Sequence, residues 1–332
     1  MNLMKFYGVY KDYIWGGAKL NNKYNKNSGF EKTAESWELS VHTDGKSVIC
    51  GGEFDGMSLS EYIKHNPSVL GTNRKSDELP ILIKLIDAED KLSVQVHPDD
   101  EMALKLENQN GKTEMWYVVE ADEDAKIIYG VKDDISKEEL EKAIKSNSVE
   151  DILNSVNSKK GDVFFVEAGT IHAVGKGNLI AEIQQNSNVT YRLYDYDRRD
   201  KNGNPRELHI EKGVMASVTQ KQTERQIPSC SDGTRLIASC EYFAVKEFCV
   251  DGLAEMECHK ESYQAIICVN GSLELISGDD KEILNAGQTV FLPAGFGKYS
   301  LKGKGTVLIT ENPPRYFCRH RPWRNKYFLC SC

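Results

Sequence analysis

The sequence has no apolar run approaching the ~20 residues that a membrane-spanning helix needs. Its first stretch, Met1 to Tyr13, has no hydrophobic segment of the kind a secretory leader carries. Basic residues are not in excess: the net charge is −8, which argues against general binding to nucleic acid or to a membrane surface. An anionic substrate must therefore meet a local basic cluster. Strands alternating with long helices, the mark of a parallel sheet, are also missing. Cysteine is present but unpaired in number. There are nine, several in strand-like runs as buried free thiols are, so a reduced, cytoplasmic setting is expected.

What is present is organised around Leu92-Ser93-Val94-Gln95-Val96-His97-Pro98. Val94 and Val96 point one way, and Ser93, Gln95 and His97 point the other, which is the period of a strand with one apolar and one polar face. An amide and an imidazole side by side on such a face read as two metal ligands, with the rest of the chain completing the site.

The length of 332 residues suits about two domains, and 40% hydrophobic content permits real cores. Strands are expected at 81–86, 115–120, 126–131, 179–184 and 189–194, with a β pattern also over 161–172. Lys84 interrupts the first of these and is read as snorkelling to solvent. Ser136-Lys137-Glu138-Glu139 is a capping box opening a helix, and residues 148–156 repeat the helical pattern. Gly161 to His172 and Gly287 to Lys298 share one spacing of Gly, apolar strand, Ala-Gly and a final side chain, so one unit occurs twice. His172 ends the first copy and Lys298 the second. The same alignment places Gln264 against Glu114. One copy is thus metal-competent and the other degenerate. The fold class is mainly β, with two antiparallel barrels of jelly-roll type. The expected domains are a metal-binding barrel at 1–215 with a helical insertion at about 134–158, a linker at 216–234, a degenerate barrel at 235–314 and a basic tail at 315–332. In the tail, Cys318, His320, Cys330 and Cys332 match no common zinc-finger spacing.

Residues 161–172 resemble the second metal motif of the cupin superfamily, with Glu167 where proline is usual. A narrower match is the set Ser93-Val94-Gln95-Val96-His97-Pro98, Lys112-x-Glu114, Gly169-Thr170-Ile171-His172 and Asn186-Ser187-Asn188-Val189-Thr190-Tyr191-Arg192. In that order it resembles type I mannose-6-phosphate isomerases in their short bacterial form, over residues 5–314. The resemblance implies one zinc ion per chain held by Gln95, His97, Glu114 and His172. It implies a hexose 6-phosphate site lined by Ser93, Lys112 and Arg192, with Lys112 and Arg192 catalytic, in a monomer or homodimer. Asn188 stands where longer members often carry Asp, so an acid/base role for that Asp does not carry over.

On their own, two imidazoles, one carboxylate and one amide oxygen form a donor set that Zn²⁺ accepts and that Fe²⁺, Mn²⁺ or Co²⁺ could also accept. Thiolates of a structural zinc site are not among them, which favours catalysis. Lys112 beside a divalent cation could act as a base or hold an anion. Arg192 offers a fork for phosphate or an enediolate, the alternative being an ion pair with Asp195 or Asp197. The expected activity is aldose–ketose isomerisation. A non-catalytic sugar-phosphate binder and an Fe²⁺ oxygenase are the competing readings. The general base stays open between Lys112, an acid and a metal-bound water.

Overall fold

The computed structural model describes residues 3–199, 202–222 and 233–314. The expected tail at 315–332 and most of the expected linker lie outside them. All paired strands run antiparallel.

Three large sheets carry the fold. The middle one orders Val163–Val166, Glu114–Ala121, Asn178–Gln185, Ile81–Asp87, Glu35–Leu39 and Val9–Lys11. Its near-continuous apolar strands are buried on both faces, and period 2 sorts their side chains. Ile83, Leu85, Met115, Tyr117, Ala181 and Ile183 pack on one face, against Val245, Ala265, Ile267 and Phe291 of the C-terminal sheet. On the opposite face, Ile86, Trp116, Val118 and Ile180 pack inside the first barrel. Each fully buried aliphatic of this kind contributes ~1.5–3 kcal/mol, so both contacts are held firmly.

The first barrel closes with a five-stranded sheet ordered Tyr191–Tyr194, Val94–Val96, His172–Val174, Lys126–Val131 and Leu153–Asn157. Val94 and Val96 face outward into a cluster covered by the helices Lys137–Lys145 and Ile210–Ala216. Ser93, Gln95 and His97 therefore face inward, as the alternation requires. Ser136 caps the first of those helices through the full capping box. Residues 148–156 do not form a second helix. Val149–Asp151 makes one tight turn, and Leu153–Asn157 is an edge strand on Lys126–Val131. Sheet pairing outweighs a weak helical pattern when a free strand edge is adjacent.

The second barrel is built from Thr234–Ser239, Ala244–Cys258, Gly297–Glu311, Gln264–Ser277 and Asp280–Asn285, with Thr289–Leu292 pairing onto Gln264–Ser277. Its own core includes Ile266, Cys268, Leu273, Val290 and Leu301. The internal repeat is structural. Gly161 and Gly287 both adopt φ of 87°, a left-handed conformation that suits glycine at the same turn of each copy. Lys298, the counterpart of His172, is exposed. At the start of the expected linker, Val218 N–H donates to Gly169 O at 2.7 Å, tying the segment to the first barrel.

Candidate active site

Three strands of the first barrel deliver the ligand candidates to one point. Gln95 lies on Val94–Val96, and His97 follows it. His172 opens the neighbouring strand directly opposite Gln95. Glu114 opens a strand of the facing sheet, opposite Val166 and Gln184. The turn before His172 is pinned by Gly169, whose N–H donates to His97 O at 2.8 Å. Gly169 has φ of 90°, and a Cβ there would lie 2.9 Å from Val218, so only glycine fits comfortably.

His97, Glu114 and His172 are each no more than 1% exposed, and one donor atom of each lies within 4.8 Å of the others. The Nε2 atoms of the two histidines are 3.2 Å apart. Each is 3.4 Å from an oxygen of Glu114. Gln95 Nε2 lies 3.4 Å from His172 Nε2, and a half-turn of the amide would present its oxygen instead.

The outer contacts fix what the inner nitrogens can do. His97 Nδ1 lies 2.8 Å from Val189 O, and His172 Nδ1 lies 2.8 Å from Thr170 O. A carbonyl only accepts, so both Nδ1 atoms carry the proton and both Nε2 atoms present lone pairs. Two lone pairs facing each other beside a carboxylate do not stabilise one another. Oε1 of Glu114 is moreover buried with no hydrogen-bond partner. Such a set fits a divalent cation, and nitrogen–nitrogen–carboxylate with an amide is a donor set suited to zinc. Burial, aided by the Lys112 ammonium, pushes His97 down to about 4, so it is neutral at physiological pH. Burial likewise lowers His172. Burial alone would raise Glu114, but the Lys112 ammonium outweighs it and holds the carboxyl well below the usual range.

Lys112 is 3% exposed. Its ammonium contacts Glu114 Oε2 and lies 3.1 Å from His97 Nε2 and 3.6 Å from Glu182 Oε1. It also lines a cavity of about 300 Å³ whose walls include Trp15, Ser93, Gln95, Asn188 and Arg192. Gln95 and Lys112 thus belong to both the ligand cluster and the cavity. Arg192 stands opposite Gln95 in register, and its Nε donates to Ser93 Oγ at 3.3 Å. It makes no ion pair among the described residues. Asp195 is instead taken by Arg198 and Arg206; Arg192 Nη1 donates to Glu207 O at 2.8 Å, and the side chain lines the cavity. Asn188 donates to Asp44 Oδ2 at 2.8 Å.

Lys84 does not snorkel. It is 6% exposed, on the inward face of its strand, 3.0 Å from Glu182 and 3.7 Å from Glu35. Trp116 and Trp37 donate indole N–H groups to the same two carboxylates at 2.8 and 2.7 Å. Glu35, Lys84 and Glu182 all line the cavity. Sequence reasoning missed this layer. Its one signal was a lysine at an inward position of an otherwise apolar strand.

Comparisons with known proteins converge. The model of the type I phosphomannose isomerase catalytic domain matches residues 3–122, and that of the mannose-6-phosphate isomerase cupin domain matches residues 232–312. Mannose-6-phosphate isomerase ManA of Bacillus subtilis is 37% identical over 92% of this chain and 98% of its own length. A crystal structure of the mannose 6-phosphate isomerase from Bacillus subtilis superposes with a TM-score of 0.87, at 36% identity over 93% of this chain and 99% of that one. A mannose 6-phosphate isomerase crystallised with zinc and yttrium shares the fold, with a TM-score of 0.77 at 18% identity over 95% of this chain and all of that one. The chain belongs to the type I phosphomannose isomerase family.

Proposed function

We propose that the chain is a zinc-dependent aldose–ketose isomerase that interconverts mannose 6-phosphate and fructose 6-phosphate through an enediolate. The observation that carries this reading is the pairing of two inward imidazole lone pairs with a buried, partnerless carboxylate oxygen, beside a cavity with a basic wall. Family membership supports the substrate. The zinc-bound relative supports the metal.

Gln95, His97, Glu114 and His172 would hold one ion. When bound, it supplies positive charge that polarises the sugar oxygens at C1 and C2. The remaining work falls to the chain's own groups. Ser93 and Arg192, already hydrogen-bonded to each other, orient the sugar hydroxyls. Arg192 and Lys112 add positive potential where the enediolate develops negative charge, and the burial of Lys112 keeps its potential unscreened. Lys112 is the group assigned to carry the proton between C2 and C1, because its amine reaches both the cavity and the ligand cluster. The free cysteines among the described residues (Cys50, Cys240, Cys249, Cys258 and Cys268) suit a reduced cytoplasmic setting.

The test is a coupled assay of fructose 6-phosphate formation, with and without a chelator. Turnover that is lost on chelation and regained with Zn²⁺ is expected. Binding of the sugar phosphate without turnover by fully metallated protein would favour the non-catalytic reading.

A further inference from the structure

A second cavity, of about 330 Å³, lies between the two barrels. It is separate from the metal cluster, and no residue of the proposed mechanism lines it. We propose that it is a binding site for an uncharged sugar or polyol, walled by Tyr10, Tyr24, Lys26, Glu38 and Thr289.

The first argument is an unmatched donor. Thr289 is 7% exposed, and its hydroxyl has no hydrogen-bond partner. Its strand alternates. Val290 and Leu292 pack inside the second barrel, whereas Phe291 packs in the core shared between the barrels. Thr289 shares the face of Phe291, the inter-barrel side of the strand, and lines the cavity. Buried polar atoms are nearly always satisfied, and one that is not, at a cavity wall, marks a place for a ligand.

The second argument is charge balance. Lys26 and Glu38 form an ion pair at 2.6 Å, each side chain less than one-tenth exposed. Lys26 also donates to Gly287 O at 2.5 Å. Lys5, on the same wall, is paired with Glu282 at 2.7 Å. Every cation of the wall is spoken for, so a phosphate would find no counter-charge. Lys26 and Ser36 both address Oε1 of Glu38. Oε2 is left to accept hydroxyl groups.

The third argument is the aromatic wall. Tyr10 and Tyr24 come from separate segments and line one space with Phe6. Aromatic faces beside a carboxylate and a hydroxyl match the two kinds of surface a sugar ring carries: C–H faces and an equatorial rim of hydroxyls. The volume falls at the lower end of the range for small-ligand pockets.

The experiment uses methyl α-mannoside, which is uncharged and cannot open to be isomerised. Saturation-transfer NMR is run on the full metallated chain with mannose 6-phosphate present at saturation. The proposal expects a saturable mannoside signal that survives the sugar phosphate. It expects at least a tenfold loss of mannoside affinity in Thr289→Val and in Tyr10→Ala, with isomerase turnover within twofold of the wild type. Thermal melting checks that each variant is folded, and Tyr10→Ala carries the test should Thr289→Val fail to fold. A missing signal, complete displacement by mannose 6-phosphate, or unchanged affinity in both folded variants would overturn it.

Discussion

Glu114 and Gln264 occupy the same place in two barrels: Glu114 stands opposite Val166 at the mouth of its strand, and Gln264 stands opposite Leu292 at the mouth of its own. Their surroundings have diverged. Glu114 faces two imidazoles. Gln264 accepts from the Tyr299 hydroxyl at 2.8 Å and donates to Glu311 at 2.7 Å. Where the first barrel gathers two imidazoles around a carboxylate, the second has a hydrogen-bonded network of Tyr299, Gln264 and Glu311, the last paired with Lys246 at 2.7 Å.

Replacing Glu114 by Gln should therefore abolish metal retention, with at least a 100-fold loss of affinity, since even outer partners of a metal ligand are worth 10–100-fold. Gln264→Glu should gain no metal, because Lys298 stands in place of the histidine and is exposed. Metal content after dialysis against dilute chelator checks both.

Lys112→Arg separates charge from proton transfer. The guanidinium keeps the positive potential but cannot give up its proton. Turnover should fall by about 10²-fold or more, the range that general acid–base catalysis contributes, while the metal is retained. A loss of less than tenfold in the coupled assay would reassign the proton-transfer role.

Lys84→Met should be far worse for stability than a surface lysine change. It leaves Glu35 buried beside no cation and Glu182 with only Lys112, 3.6 Å away, a loss of about 3–5 kcal/mol. Burial alone would lower the lysine, but attraction to Glu182 and Glu35 raises it well above its ordinary value, so it is charged at every working pH. Adding Glu182→Gln should restore part of the loss. Urea midpoints of the two variants, fitted with a common slope, measure it.

Asp195 gives the acid limb. Burial would raise its carboxyl, but Arg206 and Arg198 outweigh burial and hold it below its ordinary 3.8. A depressed carboxyl stabilises the fold above 3.8, and that contribution fades as the pH falls below 3.8 and through the lower folded-state value. Asp195→Asn should thus be less stable than wild type at pH 7, with the gap narrowing below pH 4. A gap that stays constant down to pH 2 would remove Asp195 from the acid response.

Much of this site could be read before folding. Gln95 and His97 announced themselves by alternation with Val94 and Val96, because a two-residue period needs no knowledge of partners. His172 and Glu114 were legible through the repeat and the family motifs. Lys84 was not. Whether a lysine on a strand reaches solvent or a carboxylate depends on Glu182, 98 positions away, and no local pattern encodes that register. Residues 148–156 failed for a similar reason, since the strand edge that captures them belongs to 126–131. The inter-barrel cavity also had no local signature: its walls come from residues near 5–10, 24–26, 37–38 and 285–289.

The central claim is that four side chains of the first barrel converge on one ion. Anomalous diffraction at the zinc edge, from crystals of the full chain grown with Zn²⁺, tests it most directly. The account predicts a single strong peak per chain, within bonding distance of Gln95, His97, Glu114 and His172, and absent in Glu114→Gln. A peak elsewhere, or none in fully active protein, would contradict it.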